Sequence, residues 1–228
     1  MTHHSCEQYG EEWVRLRLGK PTASGFHYIF TPTGVPTKVG VTRRRYMHRL
    51  VAERLLRQAM DDGYESKSMK RGSELEDEAR KTFEAKTGHV VRKAGFFTTG
   101  NNRLGASPDG VLDNGDVAEI KCPLPHTHVG YLMDGLGDYK PQIQGQMLVC
   151  GAKRVHFWSY HPSMPSFYEV LERDTEYIAK LHVALTMFCD QIDAAEKYCR
   201  GLGTFHLAEK LRLSDELEMT VGDILEDL

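Results

Sequence analysis

The stretch Gly105-Ala106-Ser107-Pro108-Asp109-Gly110-Val111-Leu112-Asp113-Asn114-Gly115-Asp116-Val117-Ala118-Glu119-Ile120-Lys121-Cys122-Pro123 carries two carboxylates and an ammonium at a spacing that governs how the rest of the chain is read. In an extended strand alternate side chains share a face, so Glu119 and Lys121 project together while Ile120 turns the other way. Asn114-Gly115 is a favoured hairpin turn, and a chain folded back there returns Asp109 to the side of that pair. Cys122-Pro123 then ends the second strand. Two carboxylates and a lysine meet at one edge of a sheet.

That combination suits phosphodiester hydrolysis. Mg²⁺ prefers oxygen ligands, and phosphate and water complete its octahedral shell. A bound ion acidifies water and neutralises charge on phosphorus as attack proceeds. Asp109, Glu119 and the backbone carbonyl of Ile120 are therefore the expected ligands, for one Mg²⁺ ion or two, with Mn²⁺ as a substitute. Lys121 is expected to orient or deprotonate the attacking water, or to stabilise the negative transition state. Each half alone is ordinary, since Asp after Pro is commonly a turn residue and Glu-x-Lys commonly a solvated pair. Their conjunction across a hairpin is what points to a site.

Outward from this hairpin, the chain alternates between helical and extended patterns. A short ordered segment is expected over 13–18, a loop over 31–40, a helix over 42–60 capped by Thr42, and a second over 74–87 opened by the capping box Ser73/Glu76. One strand is expected over 89–98, two within 110–122, and two more over 153–160 and 166–171. Helices are expected over 137–149, with Pro141 in the first turn, and over 174–200. The sum is an α/β fold with a central mixed sheet flanked by helices.

The 228 residues suffice for one domain, and 40% hydrophobic with 27% charged residues is ordinary for a globular protein. Five cysteines without a CxxC pair argue against a disulfide framework. No apolar run is long enough to span a bilayer and the N-terminal residues do not read as a charged-then-apolar leader, so a cytoplasmic location is expected. The net charge of −3 is unevenly spread: residues 201–228 hold seven acids against Lys210 and Arg212, leaving 1–200 at +2. The expected division is a catalytic domain over 1–200 and an acidic extension over 201–228, either a docking helix or a tail. Any DNA contact has to come from local patches, and Arg43, Arg44, Arg45 and Arg49, with Arg54 and Arg57, offer one that would hold phosphates without reading bases.

Three motifs carry a family resemblance. Residues 105–110 with Ala118-Glu119-Ile120-Lys121-Cys122-Pro123 resemble the PD-(D/E)xK nuclease core, a restriction-endonuclease-like fold, in the form found in lambda-type phage alkaline exonucleases, the YqaJ-like viral recombinases. Arg17-Leu18-Gly19-Lys20-Pro21-Thr22-Ala23-Ser24 resembles their N-terminal Arg-Leu-Gly-x-x-Thr-Ala-Ser element, and Tyr139-Lys140-Pro141-Gln142-Ile143-Gln144 their Tyr-x-x-Gln-x-Gln element. The resemblance runs from about residue 12 to 200. It implies a 5′-to-3′ exonuclease that degrades one strand of linear double-stranded DNA and leaves a 3′ overhang for a single-strand annealing protein. It also implies a homotrimeric ring around DNA and a phage or prophage origin. By position it makes Glu76 an acid supporting the metal centre, Gln142 the glutamine beside it, and Arg17 and Ser24 the holders of the terminal 5′ phosphate. Tyr64 and Met69 precede Glu76 where the family wedges a side chain between terminal base pairs.

Two other functions remain open on the sequence. A sequence-specific endonuclease of the same fold would cut covalently closed DNA, which an end-dependent enzyme ignores. A catalytically silent DNA-binding scaffold would keep the fold without turnover. Cys122, His126 and His128 do not have the spacing of a structural zinc site, and the two histidines are expected in a loop near DNA.

Overall fold

A computed structural model describes residues 1–60 and 67–201, with side chains described for 1–60 and 75–201. In chain order the elements are β1 (Thr2–His4), α1 (Glu11–Arg17), a 3-10 turn (Ala23–Tyr28), α2 (Val41–Leu56), α3 (Lys67–Thr87), β2 (Val91–Arg92), β3 (Phe96–Thr98), β4 (Gly105–Ala106), β5 (Gly110–Leu112), β6 (Val117–Lys121), α4 (Pro125–Asp134), a second 3-10 turn (Gly137–Tyr139), α5 (Lys140–Cys150), β7 (Arg154–Ser159), β8 (Phe167–Glu172) and α6 (Thr175–Gly201). Strands β2-β5-β6-β7-β8 form one sheet and β1-β3-β4 a smaller one. All pairings are antiparallel except β6 with β7. A parallel neighbour requires a crossover, and α4 and α5 supply it. The chain is thus an α/β protein with a mixed central sheet flanked by helices.

Strand β6 is buried at four of its five residues, as expected of a central strand covered on both faces. Val117 packs into a core with Phe26, Phe30, Ile143, Met147 and Phe188, drawn from the 3-10 turn and the segment after it, α5 and α6. Ala118 and Ile120 point the other way, to Ala79 and Phe83 of α3 and to Trp158. Each fully buried Phe or Leu in these cores stabilises the fold by roughly 1.5–3 kcal/mol. Period-2 alternation then aims Glu119 and Lys121 at α5. Helix α5 packs closely on the 3-10 turn because Gly145 has no side chain: a Cβ there would lie 2.3 Å from the Phe26 ring.

Several expected boundaries move. Helix α2 begins at Val41 behind Gly40, with no side-chain cap from Thr42, and stops at Leu56 because Arg57 turns left-handed, φ 51°. Helix α3 begins at Lys67, so Ser73 and Glu76 lie inside it and do not open it. The single strand expected over 89–98 is two, β2 and β3, in different sheets. Gly95 separates them at φ 67°, where the β1 strand passes so near that a Cβ would meet the His4 carbonyl at 2.3 Å. His126 and His128 lie on α4, not in a loop. Tyr64 and the acidic extension from 202 onward lie outside the described residues, as does the side chain of Met69.

Candidate active site

The hairpin closes through Asp109 as well as through its turn. The Asp109 amide donates to the Ala118 carbonyl at 3.0 Å, and the Ile120 amide donates back to Asp109 Oδ2 at 2.6 Å. In a strand the N–H and C=O of one residue leave on the same edge. The Ile120 carbonyl therefore faces the same side as Asp109, which suits it to be the third oxygen of a ligand set. Lys121 turns its own carbonyl the other way, to the Tyr160 amide at 2.8 Å.

Glu119 is 1% exposed. Burying a carboxylate is costly unless donors surround it. Gln142 donates Nε2 to Glu119 Oε1 at 2.6 Å, Gln146 donates Nε2 to Oε2, and the Lys121 ammonium pairs with Oε1. A carboxylate accepts at about four lone-pair sites. Three donors leave one direction for a cation, so these residues fit a divalent ion bound by Asp109, Glu119 and the Ile120 carbonyl.

The electrostatics agree with that chemistry. Burial, and next the charge of Glu119, push the Asp109 carboxyl up to about 7, against the pull of Lys121 and the Ile120 amide; Glu76 adds to the rise. Two acids crowded in a desolvated place resist ionising together, and a cation between them relieves the conflict. Burial works against the Lys121 charge, but Glu119 and Asp109 outweigh it and hold the ammonium protonated far above its ordinary range. In this arrangement it is a positive charge held against the two carboxylates. Glu76, half-buried on α3, acts on Asp109 through its charge.

Gln146 was not singled out by sequence motif, and Gln144 does something else. Gln144 donates to the Glu172 carbonyl and accepts from the Asp174 amide, tying α5 to the start of α6. Helical spacing carries the missing signal: 142 and 146 are one turn apart on a common face, whereas 144 is not. The N-terminal strap also belongs here. Trp13 Nε1 donates to Ser107 Oγ and Gln8 Nε2 to the Pro108 carbonyl, each at 2.8 Å.

A cleft of about 360 Å³ is lined by Tyr9 and Trp13 of this strap and in part by Arg17, Lys20, Ser24, Arg49 and Glu53. The Arg17 guanidinium lies 4.2 Å from the centre of the Trp13 ring. Ser24 is exposed and its hydroxyl lies 3.3 Å from that of Thr22. Burial and the charge of Arg54 lower the Lys20 pKa, so an anion there would be welcome. Of the basic patch, Arg43 is turned inward: it is 6% exposed, lies over Phe188, and donates to the Thr37 carbonyl at 3.0 Å and to Gln191 Oε1 at 3.3 Å. The expectation that it contacts DNA is corrected. Arg49 pairs with Glu53, while Arg44 and Arg45 are exposed.

His128 is buried, its ring bonded to Ser159 Oγ at 2.7 Å and to the Pro165 carbonyl at 2.9 Å. Among the described residues no three His, Cys, Asp or Glu side chains gather to hold a metal. The β6 site differs in offering two carboxylates and a carbonyl.

The family model for the YqaJ-like viral recombinase domain matches residues 12–153, more than half of the chain. The chain belongs to the YqaJ-like viral recombinase family. Its fold is also that of a solved alkaline exonuclease, LHK-Exo from Laribacter hongkongensis, at 31% identity and TM-score 0.76 over 89% of this chain and 100% of that one. The same values hold for LHK-Exo in complex with dAMP. A phage-related exonuclease from Haemophilus somnus 129PT, 18% identical over 77% of this chain and 96% of that one with TM-score 0.56, shares the fold. No curated protein matches the chain.

Proposed function

We propose that this family member is a metal-dependent 5′-to-3′ exonuclease acting on linear double-stranded DNA, leaving a 3′ overhang for a single-strand annealing protein. The observation that carries the proposal is the Asp109–Glu119–Lys121 cluster with an inward-facing Ile120 carbonyl, set in a chain 31% identical to an alkaline exonuclease across that protein's whole length. Asp109, Glu119 and the Ile120 carbonyl would hold Mg²⁺, which supplies Lewis acidity and an acidified water. Gln142 and Gln146 fix both oxygens of Glu119, so the carboxylate does not reorganise as charge moves. Lys121 presents a fixed positive charge to the developing negative charge at phosphorus. Arg17 and Ser24 offer donors for a terminal 5′ phosphate, and the exposed Arg44 and Arg45 for the duplex backbone. A homotrimeric ring would keep such an enzyme on its substrate. The test is cleavage of a linear duplex with Mg²⁺, with excess EDTA, and by Asp109→Ala. Loss of cutting in the last two supports the proposal, and undiminished cutting by a clean preparation of Asp109→Ala refutes the site.

A further inference from the structure

Tyr9 lines the cleft together with Trp13 and Arg17. It is 75% exposed, and its backbone is left-handed at φ 67°, a conformation that residues with bulky side chains seldom adopt. Outliers of this kind collect where the surroundings hold them for a function.

Its position is defined from both sides. Tyr9, Trp13 and Arg17 recur four residues apart, with 5.0 Å between the Tyr9 and Trp13 ring centres and 4.2 Å from the Arg17 guanidinium to the Trp13 ring centre. The neighbouring Gln8 reaches the Pro108 carbonyl at 2.8 Å, one residue before Asp109, so the turn carrying Tyr9 is tied to the carboxylate strand. Desolvation first, then Asp109 and Glu76, raise the hydroxyl above the ordinary tyrosine range, and Lys121 and Arg17 oppose them. Tyr9 therefore lines the cleft beside Arg17 and Lys20 and, through Gln8, sits on the turn fastened to the residue before Asp109.

We propose that Tyr9 forms a nucleobase subsite, stacking on the base of the nucleotide about to be released. The inference rests on the exonuclease function proposed above. A 5′-terminal nucleotide has its own phosphate on one side and the scissile phosphate on the other. With the first at Arg17 and the second at Asp109 and Glu119, its sugar and base emerge between them, where the Tyr9 ring is presented. Stacking needs no hydrogen-bond code, because every base has a π-face, and so it serves an enzyme that must remove all four nucleotides in turn.

The test compares kcat/KM of wild type, Tyr9→Ala and Tyr9→Phe on 5′-phosphorylated duplexes whose terminal nucleotide is either normal or abasic. Tyr9→Ala is expected to lose about tenfold on normal ends, Tyr9→Phe to stay within about twofold, and the abasic end to erase the difference between Tyr9→Ala and wild type. Equal losses on both ends, or no loss on normal ends, overturn the subsite while leaving the exonuclease function standing. Failure of the wild type to cut linear duplex brings down both. Thermal melting of each variant separates a folding defect from a lost contact.

Discussion

Gln146 donates its side-chain N–H to Glu119 Oε2 in the protein interior, one helical turn beyond Gln142, which holds the other oxygen. Both ends of the carboxylate are thereby fixed by one helix. The carboxylate dictates which end of the Gln146 amide faces it, and the opposite atom, Gln146 Oε1, is buried with no hydrogen-bond partner among the described residues. A buried acceptor left so is a cost the fold bears at this position.

Gln146→Met should keep the volume and remove the donor. Cleavage at limiting Mg²⁺ is expected to fall by roughly 10- to 100-fold, with a higher Mg²⁺ concentration for half-maximal rate, as for other groups that orient a metal-binding carboxylate. A Mg²⁺ titration identical to that of wild type would show that Gln142 and Lys121 suffice.

The Asp109 carboxyl, pushed up to about 7 in the folded chain, predicts a pH effect on the metal-free protein. Between the unfolded pKa, about 4, and 7 the folded state binds the extra proton, so stability contributed here is present below pH 4 and falls as pH rises through 7. Asp109→Asn should therefore raise the melting temperature in EDTA at pH 8 and change it little at pH 4. Equal melting of the two proteins at pH 8 would contradict this assignment of the shift.

Arg43 and its neighbours should separate stability from binding. Arg43→Ala removes a cation packed on Phe188 and two hydrogen bonds, and is expected to lower unfolding free energy by about 1–3 kcal/mol in denaturant melts. Substituting Arg44 and Arg45 together should leave stability nearly unchanged and flatten the salt dependence of duplex binding by a slope of about 2. Salt dependence unaltered by the double substitution would remove these residues from the DNA path.

Gly145→Ala is predicted to misplace the site from behind. The added methyl would meet the Phe26 ring at 2.3 Å, so α5 must shift or the turn must yield, at a cost of about 1–3 kcal/mol. Because Gln142 and Gln146 ride on the same helix, activity at permissive temperature should drop alongside stability. Full activity with only a lowered melting temperature would mean that the displacement is absorbed by the 3-10 turn.

Much of this was legible in the sequence for local reasons. Period-2 alternation and a hairpin turn containing Asn114-Gly115 are encoded within a dozen residues, and they bring Asp109, Glu119 and Lys121 together, although the turn spans three residues, Asp113-Asn114-Gly115, between Leu112 and Asp116, with Gly115 at φ 84°. What was not legible depends on contacts between distant segments. Thr2–His4 becomes a strand only because Phe96–Thr98 pairs with it, and 89–98 is split because Gly95 passes under that strand. Arg43 looks like its exposed neighbours until Phe188 and Gln191 of α6 arrive to cover it. Gln146 follows from helical periodicity with Gln142, but the short motif that carries Gln142 ends at Gln144.

The most direct test of the account is to incubate the protein and Mg²⁺ with two 5′-phosphorylated linear duplexes, labelled on opposite strand ends, together with a nick-free closed circle. Early release of the label from 5′ ends, retention at 3′ ends and an intact circle are the predicted result. Cutting of the circle, or release beginning at 3′ ends, would contradict it.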